Sequence, residues 1–297
     1  MTFAREAMAC EFEVLLNQHQ YPNAPDHAVD ALDLIEHYES ELSVYRPRSD
    51  LSILNRFGGE KSVSVSGETV CLLQLAQAIH EQTARAFDIT AGSLSEVWGF
   101  SRRAARRPSD DEIADALQKV GSDLLEVDSD LASVGFRRPG VTVNPGGIGK
   151  GFALDRAAQS LAQKGTLDFM MHGGLSSVIA HGDRMHPETG GGWLVALKHP
   201  WRWEQPLGMI RLRNQALATS GSGKQFFHFD GKRYSHIIDP RTGWPAQQMM
   251  SATVICRSAA IADALATAFF VMGERAATEF CDRNPEIAAV LVYQHEK

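Results

Sequence analysis

Asp263 and Thr267 lie four residues apart in the apolar run 259–272, which reads as helix, so a carboxylate and a hydroxyl share one helical face. Ile261, Leu265, Ala266, Phe269 and Phe270 surround the pair with apolar side chains, and a carboxylate in such a setting needs a partner. Mg2+ would serve, because it takes hard oxygen ligands and completes its shell with water and phosphate oxygens. The competing reading is a solvated carboxylate beside a threonine bonded to its own backbone.

A second segment, 144–151, runs Asn-Pro-Gly-Gly-Ile-Gly-Lys-Gly. It is neither a Walker loop nor G-x-G-x-x-G; what remains is a backbone free to expose amides at a helix N-terminus, where the dipole favours an anion. A tight turn between strand and helix reads equally well. The third segment, 235–243, places His236 beside Ser235 in a β-patterned run that ends in the strong turn Asp239-Pro240-Arg241-Thr242-Gly243. A lone histidine is usually structural, but this position suits a general base as well. Thr219-Ser220-Gly221-Ser222-Gly223 is not a nucleophile elbow, and His80-Glu81-Gln82-Thr83-Ala84 lacks the second histidine of a zinc protease. Together the three segments suggest an enzyme acting on a pyrophosphate.

The net charge of −7 argues against a nucleic-acid or anionic-membrane partner, since phosphate polymers are bound through clustered Lys and Arg. The one basic cluster, Arg102, Arg103, Arg106 and Arg107, reads as a solvated loop. The four cysteines show no C-x-x-C pair and no metal-type spacing, so they read as buried thiols. No apolar stretch approaches the length of a membrane span, and no export signal is visible, which sets a cytoplasmic location as the expectation, or a periplasmic one if a leader was removed before numbering.

The elements that must position these residues follow from periodicity and caps. Strands are expected at 11–16, 141–143, 169–181, 193–198, 208–213, 226–229, 252–256 and 287–293, with Asp230-Gly231 as a hairpin turn. Helices are expected at 26–42, 51–55 capped by Ser49 or Asp50, 67–85, 110–120, 152–164 closed by Gly165, and 259–272 stopped by Gly273. Residues 86–90 read as a loop. With no repeat or low-complexity linker, one α+β domain over 1–297 is the expectation.

The order of motifs resembles the ApbE family of FAD:protein FMN transferases. It runs from Met8-Ala9-Cys10 and Leu42-Ser43-Val44-Tyr45, through Ala86-Phe87-Asp88-Ile89-Thr90 and the 146–151 loop, to Ala218-Thr219-Ser220-Gly221, 235–243 and 263–267. The resemblance implies an ApbE-like, T-fold-related α+β architecture with mixed or antiparallel sheets and flanking helices. It implies FAD-binding positions at Met8, Tyr45, Ala86, Phe87, Asp88, Asn144 and Lys150, with His236 adjoining them. Metal-ligand positions fall on Asp263, Thr267 and the carbonyl of Gly147. Three departures from the family pattern cover five positions: Asn144 stands where Asp is usual, His172 and Leu175 flank Gly173-Gly174 where Asn and Asp are common, and Ser222-Gly223 replaces an acidic-aromatic pair.

The expected function is Mg2+-dependent transfer of FMN from FAD to a Thr or Ser hydroxyl of an acceptor flavoprotein, with release of AMP and His236 taking the hydroxyl proton. FAD pyrophosphatase, giving FMN and AMP, and a flavin-binding protein without transfer are the alternatives.

Overall fold

The computed structural model describes residues 1–100, 106–185, 191–202, 204–223, 226–247 and 249–293. Arg102 and Arg103 of the basic cluster lie outside these. Of the remaining pair, Arg106 forms an ion pair with Glu112 and Arg107 lies over the Trp244 ring.

The chain opens with a hairpin, β1 (Thr2–Ala7) and β2 (Cys10–Leu16), of which only the second strand is visible in the alternation of the sequence. Then come α1 (Ala24–Leu42), α2 (Asp50–Phe57), β3 (Val63–Ser64), α3 (Gly67–Gln82), α4 (Gly92–Val97) and α5 (Asp110–Leu117). Ser49 caps α2 by accepting from the amide of Ser52, as anticipated. Helix α3 stops short of the expected 85, because the Thr83 hydroxyl bonds back to the Ile79 carbonyl and Ala84 and Arg85 both take positive φ. Strand β5 (Ser133–Phe136) pairs with both β3 and β4 (Leu125–Asp128) in a small antiparallel sheet.

The expected strand at 141–143 is not one. Its sole bridge joins Thr142 to Ala91, while the Asn55 amide takes the place of a neighbouring strand, donating to the Val143 carbonyl and accepting from its amide at 2.9 and 2.7 Å. A 3-10 turn, Pro145–Gly147, then leads into α6 (Gly149–Gln163), which starts three residues earlier than expected. The single strand expected at 169–181 is a hairpin, β6 (Phe169–Gly173) and β7 (Ser177–His181), because Gly174 adopts φ +59 and reverses the chain.

The rest comprises β8 (Trp193–Lys198), β9 (Pro206–Leu212), β10 (Gln215–Gly221), β11 (Phe226–Phe229), β12 (Lys232–Ser235), β13 (Met249–Cys256), α7 (Ala259–Arg283) and β14 (Ala288–Tyr293). Gly273 interrupts α7 with φ 79 and ψ 177, so the helix that begins at Ala259 does end there and a second segment follows.

One antiparallel sheet, ordered β1-β2-β6-β7-β10-β13-β14, organises the molecule. Period-2 alternation turns Phe12, Val14, Phe169, Met171, Ala216, Ala218 and Val254 toward one face, where α1, α6 and α7 pack. Alanines 262, 264, 266 and 268 bring α7 close to β10 and β13. On the other face Trp193, Leu197 and Leu212 of the β8–β9 hairpin cover Val178, Ala180 and Leu217. A satellite cluster of Trp98, Tyr234, Ile238, Ile113 and Leu94 seats the β11–β12 hairpin on α4 and α5. Helices and antiparallel sheets thus give the expected α+β class.

Candidate functional site

Helix α7 carries Asp263 and Thr267 on the side that meets the 145–151 segment. Asp263 is buried, and its Oδ2 accepts from the Gly151 amide at 3.3 Å and lies 3.7 Å from Lys150 Nζ. The partner demanded by a buried carboxylate is therefore a lysine and a helix N-terminal amide. One turn along α7, Thr267 Oγ1 lies 3.0 Å from Ser220 Oγ of β10 and donates weakly to its own Asp263 carbonyl at 3.3 Å. A Cβ built on Gly147 would stand 3.2 Å from Thr267 Oγ1 and 3.3 Å from the Phe87 ring. Glycine lets the turn backbone approach this hydroxyl, with Phe87 as its floor. Asn144 organises the turn by accepting the Gly146 amide at 2.9 Å through Oδ1, a bond an aspartate would also make.

Asp263 and Thr267 present a carboxylate and a hydroxyl one helical turn apart, with the Gly147 backbone against the hydroxyl; hard oxygen donors of this kind would suit Mg2+. Among the described residues no group of three His, Cys, Asp or Glu could hold a metal ion. A cation here would thus draw on mixed oxygen donors and on a bound phosphate.

A residue without sequence signal, Glu39, links the Met8 turn to the loop that carries Tyr45. Met8 and Ala9 form a two-residue turn with φ 49 and 59, both in the left-handed region that L-residues avoid. Glu39 of α1 accepts the Met8 amide at 2.9 Å and also pairs with Arg46, so it ties the turn to the loop bearing Tyr45. Tyr45 is 78% exposed, and its ring offers an aromatic surface to a planar ligand. Cys10 adjoins this turn; burial pushes its thiol up, Lys150 opposes, and Glu6, Asp263 and Glu39 add to the rise.

Ala86 and Phe87 are buried, and the Asp88 carboxylate is already committed. It accepts from the amide and hydroxyl of Thr90 and from the amide and hydroxyl of Ser122, and it faces His80 Nδ1 at 3.1 Å. His80 Nδ1 also lies 3.0 Å from the Phe87 carbonyl. Burial disfavours the charged forms of both groups. The mutual hydrogen bond and attraction outweigh it, raising His80 above its usual 6.5 and lowering Asp88 below 3.8. Asp88 therefore shapes the 86–90 loop and leaves its backbone and Phe87 to face the glycine turn.

His236 follows β12 at a bend, half-buried, with its ring edge-on to Phe100 at 6.5 Å between centroids. Its hairpin is linked to Thr267 in steps: Arg233 of β12 donates to the Ser222 hydroxyl and carbonyl, and Ser220, two residues earlier, touches Thr267. Of the departures, His172 pairs with Glu13 across β2 and β6 at 3.0 Å, while Leu175 is exposed at the tip of the β6–β7 turn.

Sequence reasoning missed Glu39 and Asp155, and gave no role to His80 or Ser220, which it met only inside motifs. Asp155 of α6 accepts the Ala259 and Ala260 amides at 2.7 and 3.0 Å and the Ser258 hydroxyl at 2.6 Å, so it caps α7 from outside. Burial pushes its carboxyl up, and these hydrogen bonds only partly offset the rise. Its one signal was its place, a helical turn beyond Gly151.

The ApbE family profile matches residues 8–291. A FAD:protein FMN transferase from Haemophilus influenzae is 29% identical over 259 residues, covering 84% of this chain and 74% of its own length. One from Vibrio cholerae is 31% identical over 255 residues, covering 84% and 75%. Among solved structures, the ApbE protein of Thermotoga maritima superposes with a TM-score of 0.88 at 30% identity, over 99% of this chain and 94% of that one. The flavin transferase ApbE from Vibrio cholerae gives 0.86 at 27% identity, over 100% and 94%.

Proposed function

Since this chain belongs to the ApbE family, we propose that it transfers FMN from FAD to a Ser or Thr hydroxyl of an acceptor flavoprotein, releasing AMP. The observation that carries this reading is the convergence of Asp263, Thr267, Lys150 and the Gly147 turn. One buried carboxylate, a cation and a glycine-opened backbone meet there at a helix N-terminus. That combination fits a pyrophosphate. Asp263, Thr267 and the Gly147 carbonyl would hold Mg2+, which supplies charge neutralisation for phosphoryl transfer.

Lys150 would meet the phosphate oxygens, and the N-terminal dipole of α6 would favour the same charge. Met8 and the Tyr45 ring, joined through Glu39, would hold the flavin, with Phe87 beneath the turn and the backbone at Ala86 and Asp88 beside it. In the transfer the acceptor hydroxyl oxygen bonds to the FMN phosphorus. The bond from that phosphorus to the bridging oxygen breaks, AMP leaves with the electron pair, and His236 takes the hydroxyl proton. Such a base contributes about 10² to 10⁴ in rate.

Incubating a candidate acceptor with enzyme, FAD and Mg2+, followed by intact-mass measurement, tests the reading. An FMN-sized adduct on the acceptor together with free AMP is the expected result. Free FMN with AMP and an unmodified acceptor would instead make the protein a FAD pyrophosphatase, and unchanged FAD would leave a flavin-binding role.

A further inference from the structure

We infer that Asp155 is the positioning residue of the Asp263 site, and that α6 and α7 hold the site through a reciprocal pair of carboxylate caps. The inference rests on the cation reading proposed above. Helix α6 begins at Gly149 with no side-chain cap of its own. The carboxylate at its N-terminus comes from α7, where Asp263 Oδ2 accepts the Gly151 amide. In return, α6 supplies Asp155 to the first turn of α7, with Oδ1 on the Ala259 amide and Oδ2 on the Ala260 amide and the Ser258 hydroxyl. Ser258 Oγ also accepts the Ile261 amide at 3.2 Å.

The two backbones touch between these rungs. A Cβ on Gly151 would lie 2.1 Å from the Ala259 carbonyl oxygen. Asp155 follows Gly151 by four residues and Asp263 follows Ala259 by four, so each carboxylate stands one turn beyond the contact on its own helix. Two rungs one turn apart prevent α7 from sliding or rotating on α6. Removing the Asp155 rung frees that motion, and Asp263 and Thr267 move with α7 relative to Gly147 and Lys150.

Asp155→Asn is the informative change, because its amide nitrogen would present a donor to groups that are themselves donors at Ala260 and Ser258. Loss of groups that orient metal ligands typically weakens metal binding by about 10- to 100-fold. A merely structural residue would lower the melting temperature and leave metal affinity alone. The experiment measures apparent Mg2+ affinity from the dependence of the thermal midpoint on MgCl2 at saturating FAD. It compares the parent, Asp155→Asn, Asp263→Ala, and Leu161→Ala, which opens a cavity in the buried face of α6 away from the clamp.

The expected result is Mg2+ stabilisation of the parent that is absent in Asp263→Ala, tenfold or greater weakening in Asp155→Asn, and parental affinity in Leu161→Ala despite its lower midpoint. Parental affinity in Asp155→Asn would overturn the positioning role while leaving the cation site standing. Equal Mg2+ responses, or none, in parent and Asp263→Ala would overturn the cation reading and this inference with it. Should Asp155→Asn fail to fold, Ser258→Ala removes one of the three hydrogen bonds; severalfold weaker Mg2+ binding is then expected, and unchanged affinity overturns the role.

Discussion

At Asn144 the amide performs a task that is independent of charge. Its Oδ1 caps the 145–147 turn through the Gly146 amide, and an aspartate could make the same bond. Asn144→Asp should therefore leave stability close to the parent, within about 0.5 kcal/mol, as is usual for a substitution that keeps its contacts. The new charge sits on the turn whose Gly147 abuts Thr267, so it should tighten Mg2+ by about threefold to tenfold, on the order of 1 kcal/mol. Mg2+ titration by thermal midpoint checks this; weaker FAD binding with Mg2+ unchanged would instead place the residue against a flavin phosphate. A similar economy holds at Asp88. Its carboxylate is consumed by Thr90, Ser122 and His80, so its contribution to ligand binding runs through the loop it shapes.

Among the elements, the α6–α7 crossing governs the site. Gly151 is required there for space, since any side chain would collide with the Ala259 carbonyl, and backbone cannot yield as a flexible side chain can. Gly151→Ala should cost about 1 to 3 kcal/mol or more. It should also weaken Mg2+ binding, because relief of the clash separates Asp263 from the α6 amide and from Lys150. Urea denaturation reads the first effect and a Mg2+ titration the second. Parental stability would mean that the helices separate without cost, and the close approach would then have no functional weight. The β1–β2 turn carries a comparable constraint, with two non-glycine residues at positive φ held by the Glu39 bond to Met8.

At the scale of the whole molecule, the buried His80–Asp88 pair couples stability to pH. His80 titrates above 6.5 in the folded protein, so its contribution is complete below that value and is lost as pH rises through the raised one. Asp88 titrates below 3.8, so its contribution is complete above that value and is lost as pH falls through the lowered one. The pair thus stabilises most between 3.8 and 6.5. Urea midpoints of the parent and of His80→Gln should converge as pH is raised from about 6 to 9, where the histidine loses its charge. A pH-independent gap would show that the pair acts through hydrogen bonds alone. Because the same pair supports the 86–90 loop under the Gly147 turn, weaker FAD binding should accompany the loss.

Periodicity and caps were enough to locate α1, α2, the start of α7 and its break at Gly273, because each is written in local apolar spacing and in the backbone preferences of a few residues. Lys150 was singled out only through the family resemblance, but Asp263 and Thr267 were also legible, since a carboxylate and a hydroxyl on one face of an apolar helix are conspicuous by type. Their meeting with Lys150 and the glycine turn was not. It depends on a sheet that orders β6, β7, β10 and β13 side by side and on a helix crossing that only Gly151 permits. The hairpin within 169–181 and the side-chain substitute for a strand at Val143 escaped local reading for a related reason. Gly174 turns the chain where the apolar run continues, and Asn55 supplies ladder bonds from 88 residues away. Glu39 and Asp155 are ordinary surface-type residues in their own helices. Only tertiary packing aims them at another element's free amides, because a hydrogen-bond partner far along the chain leaves no mark on the local sequence.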